Sequence, residues 1–138
     1  MASRAHVLRP DDLPSVDRGG GVRTVPLVTA KLGAGEFLNG ITEFDPGTSL
    51  AMHSHDCEEA VVVIEGQAAF EDEHGTVEME PFDTTWVPAG AVHRFLNRGT
   101  GRMRILWTYG SASATRTLAE TGETFAVGSA LEHAGASR

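Results

Sequence analysis

Cysteine, lysine and long apolar segments are nearly missing from this sequence. Among its 138 residues there is one cysteine, Cys57, which excludes an internal disulfide and favours a reducing compartment. No window approaches the roughly 18 consecutive apolar residues of a membrane helix. The opening stretch MASRAHVLRPDDLPS lacks the apolar core of a secretory signal. We therefore expect a cytoplasmic protein with no membrane partner.

Positive charge is also scarce. The 11 lysine and arginine residues are outnumbered by 19 aspartates and glutamates, which gives a net charge of −8. Because nucleic-acid binding depends on a basic surface, this balance argues against DNA or RNA as a partner. The length is that of one ordinary domain with a core of its own.

Short strand-like segments dominate from residue 22 onwards. Examples are VRTVPLV (22–28), LNGITEF (38–44), AVVVIEG (60–66) and RMRILWTY (102–109). Glycine and proline turns separate these segments, and none has a convincing helical period. This pattern predicts an all-β sandwich or small barrel. We expect a flexible arm over 1–21, a barrel over 22–112, and a tail over 113–138 that packs on the barrel or on a partner subunit.

Metal-capable side chains cluster in the stretch GTSLAMHSHDCEEAVVVIEG, residues 47–66. His53 and His55 are two residues apart on a predicted strand, so both imidazoles point to the same face. Glu59 follows a short turn, and His93 opens a separate strand after a Pro-x-Gly turn. Three imidazoles and one carboxylate suit a divalent first-row metal, with Fe(II), Mn(II), Ni(II), Cu(II) and Zn(II) all compatible. Four protein ligands leave coordination positions open, as in catalytic sites.

Two motifs then carry a family resemblance. The first is Gly47-x5-His53-x-His55-x3-Glu59-x6-Gly66, and the second contains Pro88, Gly90, His93 and Asn97. These spacings resemble the two motifs of the cupin superfamily, and in particular of its small single-domain, type-2 metal-binding members. The resemblance extends over about residues 38–109. At the start of the second motif the family has a glycine where this chain has Phe82, which makes the turn before the Trp86 strand a point to examine.

The resemblance implies a cupin jelly-roll β-barrel, also called a double-stranded β-helix. It further implies one divalent metal per subunit, held inside the barrel by His53, His55, Glu59 and His93, with Fe(II) favoured. The resemblance also implies a homodimer, which small cupins often form and which closes exposed sheet edges. Glu59 is preferred over the adjacent Glu58 as the ligand because of its position along the strand and its distance from Gly66.

Other side chains are candidates for the surroundings of the metal. Phe95, Trp107, Met103 and Met52 are predicted to line a pocket, although each of them also suits an ordinary core position. Tyr109 and Glu58 are the candidate catalytic residues, because either could move a proton. Cys57 is expected to be a small buried residue in a turn.

These observations favour a metal-dependent enzyme. The first expectation is a mononuclear non-haem iron dioxygenase, hence an oxidoreductase, that acts on a small organic substrate able to chelate the metal. One alternative is a redox-neutral isomerase, lyase or cyclase that uses the metal as a Lewis acid on an enolisable carbonyl compound. Another is a non-catalytic cupin that binds metal and a small molecule. Fold resemblance alone does not decide between these three.

Overall fold

A computed structural model describes residues 4–129, and the structural statements below concern those residues. They form a short 3-10 helix and a series of β-strands. The elements are the helix Pro10–Asp12 and the strands β1 (Val16–Gly19), β2 (Val22–Val28), β3 (Leu38–Phe44), β4 (His53–His55), β5 (Glu59–Glu65), β6 (Ala68–Asp72), β7 (Gly75–Met79), β8 (Thr84–Val87), β9 (His93–Leu96), β10 (Met103–Tyr109), β11 (Thr115–Leu118) and β12 (Thr124–Ala126).

The strands build two six-stranded antiparallel sheets. The first sheet has the order β1-β2-β3-β10-β5-β8, and the second has the order β12-β11-β4-β9-β6-β7. The two sheets form a jelly roll, so the predicted all-β fold is confirmed. In the part of the chain that is described, no helix has the length and apolar content needed to cross a bilayer.

Strand β10 shows how the sequence pattern produces this architecture. Its side chains alternate, so that Met103, Ile105, Trp107 and Tyr109 are buried between the sheets. On the outer face, Arg104 forms an ion pair with Glu65 of the neighbouring β5, with 2.5 Å between Nε and Oε1. One side of the strand therefore builds the core and the other side faces solvent.

The sheets extend beyond the predicted limits of the barrel at both ends. Within the predicted arm, β1 pairs with β2 and so extends the first sheet. Within the predicted tail, β11 pairs with β4 and with β12 in the second sheet. The last part of the predicted tail, residues 130–138, lies outside the described residues. Packing of the tail on a partner subunit stays a prediction.

The turn before β8 keeps a glycine-like conformation despite its phenylalanine. Phe82 has a φ of 76°, in the left-handed region that non-glycine residues seldom adopt. The turn is closed by hydrogen bonds from Asp83 N to Glu80 O (3.0 Å) and from Glu80 N to the Asp83 side chain (2.9 Å). Phe82 N also donates to Val63 O at 2.6 Å. The turn is therefore formed although phenylalanine stands where the family motif has glycine, and the positive φ of Phe82 costs backbone strain.

Candidate metal centre

Three buried histidines meet between the two sheets. His53 and His55 are the ends of the short strand β4, and His93 begins β9. The register pairs His53 directly with His93, while the two-residue spacing puts His55 on the same face. One ring nitrogen from each histidine lies within 4.8 Å of the others. The structure therefore brings together three of the four predicted ligands by strand pairing alone.

Backbone carbonyls fix the orientation of the three rings. The Nδ1 atoms of His53, His55 and His93 donate to the carbonyl oxygens of Ala51 (2.6 Å), Thr115 (2.9 Å) and Ala91 (2.9 Å), respectively. A carbonyl only accepts, so each Nδ1 carries the hydrogen. The lone pair of a neutral imidazole is then on Nε2, which is the arrangement in which histidines bind metals.

Glu59 approaches the histidines from the opposite sheet. It is the first residue of β5, and its carboxylate is buried. Oε1 lies 2.8 Å from Nε2 of His93, and Oε2 lies 3.7 Å from Nε2 of His55. The predicted fourth ligand therefore sits against the same ring atoms that face the interior.

The polar atoms of this cluster fit a divalent metal ion. Nε2 of His55 is buried and has no hydrogen-bond partner, which is costly unless the lone pair binds something. Both ring nitrogens of His93 face oxygen acceptors, Ala91 O and Glu59 Oε1, although a neutral imidazole carries a single N–H. A cation shared by His55, His93 and Glu59 would satisfy all of these atoms. Metal identity stays open, because several first-row ions accept such ligands.

Burial also keeps these groups in the state that binds a metal. Desolvation lowers the pKa of His53 well below its usual value and lowers that of His55 to about 4, and the nearby Arg116 acts in the same direction. For Glu59, burial by itself raises the pKa, but the hydrogen bond with His93 and the positive charges around it outweigh burial and lower it. Neutral imidazoles of His53 and His55 and an ionised carboxylate of Glu59 are therefore favoured at neutral pH.

Arg116 is a site residue that sequence reasoning missed. It lies on β11 directly opposite His55, and it is 2% exposed. Its charge is one of the causes that lower the pKa of His53, His55 and Glu59. The alternation of TRTL could have indicated one buried face, but the weak patterning of the surrounding tail hid the signal.

Aromatic rings surround the histidines. The ring centroid of Tyr109 lies 4.5 Å from that of His55, and Trp107 stacks on Tyr109 at 4.9 Å. Phe95 meets His93 edge-on at 6.1 Å. A fourth ring, Phe70, stacks on His93 at 6.0 Å and was not predicted. Tyr109 and Phe95 thus contact the histidines, and Trp107 contacts Tyr109; their roles as catalytic or pocket-lining residues stay predictions.

Two predicted site residues need correction. Glu58 is exposed, and its carboxylate accepts a hydrogen bond from the indole N–H of Trp86 at 2.7 Å on the outer surface, so it does not face the histidines. Met103 is buried in the core opposite Phe44, six residues or roughly 20 Å along β10 from Tyr109. Alternation along the strand identifies an inward side chain but not the end of the barrel that it occupies.

The other two side chains singled out near the first motif have weaker links to the site. Met52 is partly buried, and its carbonyl accepts a hydrogen bond from Ala119 N at 2.9 Å. Its role as a pocket-lining residue stays a prediction. Cys57 is partly buried against the core, and burial raises the pKa of its thiol.

A cavity of about 580 Å³ adjoins the aromatic side of the site. Tyr109 and Trp107 form part of its wall, together with residues of β1, β2 and the segment that follows β2. Tyr109 therefore lines this cavity and also packs on His55. The volume lies in the range typical of small-molecule sites.

The family model described as "Cupin domain" matches residues 40–109, which contain both motifs. The chain belongs to the cupin family. A search of curated proteins finds no match to this cupin. Among solved structures, a cupin-superfamily sugar phosphate isomerase from Silicibacter pomeroyi shares 21% identity, with 86% of this chain and 85% of that chain covered at a TM-score of 0.75.

Two further solved structures are similar over most of the chain. The polyketide cyclase RemF from Streptomyces resistomycificus shares 20% identity over 96% of this chain and 90% of its own, with a TM-score of 0.70. A predicted oxalate decarboxylase from Thermotoga maritima shares 22% identity over 77% of this chain and 99% of its own, with a TM-score of 0.68. At these identities the likeness establishes the fold, and it leaves the reaction open.

Proposed function

We propose that this cupin is an enzyme that uses one divalent metal, held by His53, His55, Glu59 and His93, in a redox-neutral reaction of a small enolisable carbonyl compound. The observation that carries the proposal is the convergence of three Nε2 atoms and a carboxylate on one buried point, next to a tyrosine. When bound, a divalent metal supplies Lewis-acid polarisation of a carbonyl or enolate oxygen.

The chain's own residues supply the rest of the proposed chemistry. Tyr109, the only tyrosine of the sequence, is buried beside His55 and is proposed to move the proton between substrate carbon and oxygen. Trp107 and Phe95 exclude water from the reacting end, which strengthens electrostatic contacts there. The named activities of similar folds, an isomerase and a cyclase, belong to this reaction class and support the proposal as analogy.

A mononuclear iron dioxygenase is the second candidate, as first expected from the sequence. The observation that favours it is the ligand set itself, since three histidines and one carboxylate accept Fe(II) and leave positions open for a chelating substrate. Such a reaction consumes dioxygen together with the substrate, and the redox-neutral reaction does not. This difference separates the two candidates in a single experiment.

The test uses the full chain loaded anaerobically with Fe(II), Mn(II), Ni(II) or Zn(II). It is mixed with β-diketones, hydroxy acids and catechols, first in deuterated water without oxygen and then with an oxygen electrode. The proposal expects that, without oxygen, hydrogen on the carbon next to a carbonyl exchanges for deuterium or the substrate rearranges. Tyr109→Phe should lose this activity, and the surface variant Glu58→Gln should retain it. Oxygen uptake that matches substrate loss selects the dioxygenase. Inactivity of every metal form in both arms counts against an enzyme and favours a binding cupin.

A further inference from the structure

We propose that two copies of this chain associate as a two-fold symmetric dimer through the outer face of the first sheet. This face is formed by the outward side chains of five neighbouring strands, β2, β3, β10, β5 and β8. Four apolar residues cross its middle, and we call them the central row: Val25, Ile41, Leu106 and Val62. The inference goes beyond the proposed function and does not depend on the metal centre.

Strand pairing joins the side chains of the central row. Ile41 of β3 pairs with Val25 of β2 on one side and with Leu106 of β10 on the other. Leu106 in turn pairs with Val62 of β5. Opposed residues of antiparallel strands point to the same side of a sheet, so the four side chains are neighbours. Each of them is partly exposed, so the row lies outside the core.

The outer face of the second sheet has the ordinary polar pattern instead. There Ser54 pairs with Thr117, and Arg94 pairs with Glu71. An antiparallel sheet with one solvated face normally places polar residues outward, as the second sheet does. The first sheet departs from this rule, and the apolar run VVVI (61–64) in β5 is typical of a strand that is covered on both faces. A second layer over the first sheet accounts for this run.

Trp86 extends the face at the edge strand β8. It pairs with Ala60, whose neighbour but one along β5 is Val62, and it is 66% exposed. The indole N–H donates to the carboxylate of Glu58 at 2.7 Å, which restricts the orientation of the exposed ring. An aromatic side chain that is already oriented loses little conformational entropy on binding, and tryptophan is enriched among the residues that dominate interface energies. We therefore expect Trp86 to be the main anchor of the dimer.

The charges beside the central row are balanced within one chain, and this favours a second copy as the partner. Three arginines and three carboxylates form ion pairs there: Arg23, Arg102, Arg104, Glu43, Asp45 and Glu65. The chain as a whole has a net charge of −8. Two copies of an acidic protein therefore repel each other least when they approach through this face. A strongly basic or acidic partner finds no excess of opposite charge on it.

The size of the face indicates a weak dimer. Four of its strands are seven residues long, which corresponds to roughly 24 Å, and five strands about 4.8 Å apart are also roughly 24 Å wide. Each copy thus offers about 550 Å², and two copies about 1,100 Å², which is at the lower end of specific interfaces. In a two-fold dimer the same residues lie on both sides, so the central row packs on its own copy. We expect a dissociation constant between about 10 and 100 µM.

Sedimentation equilibrium of the full chain between about 1 and 500 µM tests the proposal. The chain should change from monomer to dimer over this range. Raising the NaCl concentration from about 50 to 500 mM should not weaken the dimer, because apolar contacts hold it and salt screens the repulsion between two acidic copies. A dimer that salt dissociates contradicts the proposal, since it is held by ion pairs.

Three variants assign the dimer to this face. Leu106→Glu places a charge in the central row and Trp86→Ala removes the anchor, so each should raise the dissociation constant at least about tenfold. Val77→Glu is the control for an added charge and should leave it unchanged, because Val77 is 61% exposed on β7, at the edge of the second sheet. Circular dichroism and thermal unfolding show whether each variant is folded. An unchanged dissociation constant in Leu106→Glu or in Trp86→Ala contradicts the proposal.

An unmodified chain that stays monomeric at about 500 µM overturns the proposal. The stability of Leu106→Glu then shows what occupies the face. A much larger loss of stability than in Val77→Glu would mean that a segment of the same chain covers the central row. Equal stability of the two variants would leave a different protein as the partner.

Discussion

Glu58 and Glu59 are adjacent in the sequence and lie on opposite sides of the first sheet. Glu59 is buried against His93, and Glu58 is exposed and bonded to the indole of Trp86. The alternation of side chains along a strand explains the difference, since neighbouring residues face opposite ways. Two chemically identical carboxylates therefore have separate roles, one in the candidate metal centre and one on the surface.

The glutamine variants of these two residues form a matched pair. Glu59→Gln removes a negative charge from the metal centre, and we expect metal affinity to fall by at least about tenfold. Glu58→Gln should leave metal affinity unchanged, because the side chain does not reach the histidines. Competition with a chromogenic chelator measures both affinities. Equal losses in the two variants would contradict the opposite orientation of the two side chains.

Arg116 should contribute, after desolvation by burial, to the low pKa of His55. The two residues are direct partners on β11 and β4, and the positive charge of Arg116 is one of the causes that lower the pKa of His55 to about 4. In the metal-free protein, Arg116→Gln should raise this pKa, whereas Arg98→Gln, at an exposed position, should not change it. Imidazole NMR resonances followed across pH report the value. A lower or unchanged pKa of His55 in Arg116→Gln would contradict the role of the Arg116 charge.

Stability of the metal-free protein should fall as the pH is lowered from about 7.5 to 5. The pKa of His55 is about 4 in the folded protein, against 6.5 for an ordinary histidine. At pH values between these two pKa values, the unfolded chain binds a proton at His55 and the folded chain does not. The free energy of unfolding therefore decreases as the pH falls. The loss should be about 2 kcal/mol from His55, and His53 adds to it in the same direction.

Urea unfolding of chelator-treated protein measures this dependence. His55→Asn should show a smaller loss, because the titrating imidazole is gone. His74→Asn, at an exposed hairpin position, should behave as the unmodified protein does. A free energy of unfolding that stays constant between pH 7.5 and 5 would mean that the histidines are not desolvated in solution.

Phe82→Gly should stabilise the protein. Phe82 has a φ of 76° and is 80% exposed, so glycine relieves backbone strain and removes little packing. We expect a gain of about 0.5–1 kcal/mol, net of the extra entropy that glycine gives the unfolded chain. Phe37→Gly, at a half-exposed loop position without a positive φ, should not stabilise. Equilibrium unfolding compares the two variants, and a less stable Phe82→Gly would show that the side chain contributes packing.

The candidate metal ligands could be predicted from the sequence because two of them lie on one strand and a family motif supplies the third histidine. His53 and His55 are fixed by the period of one strand, and the family motif supplies the distant His93. The strands themselves follow from apolar alternation, and the expected all-β jelly roll is present. On β5, Val61 and Val63 are buried and Val62 and Ile64 are partly exposed, so this apolar run fully covers only one face of its strand.

Arg18 and Arg116 could not be predicted, because their burial depends on long-range pairing. Arg116 lies on β11, which pairs with a strand about sixty residues earlier, and Arg18 lies at a register shift in the pairing of β1 with β2. From local sequence alone, an arginine in a terminal segment without clear hydrophobic alternation is expected to be exposed to solvent. Met103 is buried, as alternation along its strand indicates, but alternation does not tell which end of the barrel a buried side chain occupies.

The metal content of three purified variants is the most direct test of the central claim that these histidines form a metal centre. Elemental analysis after anaerobic loading should find close to stoichiometric metal in the unmodified chain and in His74→Ala, whose histidine is exposed at a hairpin tip. His53→Ala and His93→Ala should each lose most of it while remaining folded by circular dichroism. Full occupancy in either of these two variants would contradict the assignment of the site.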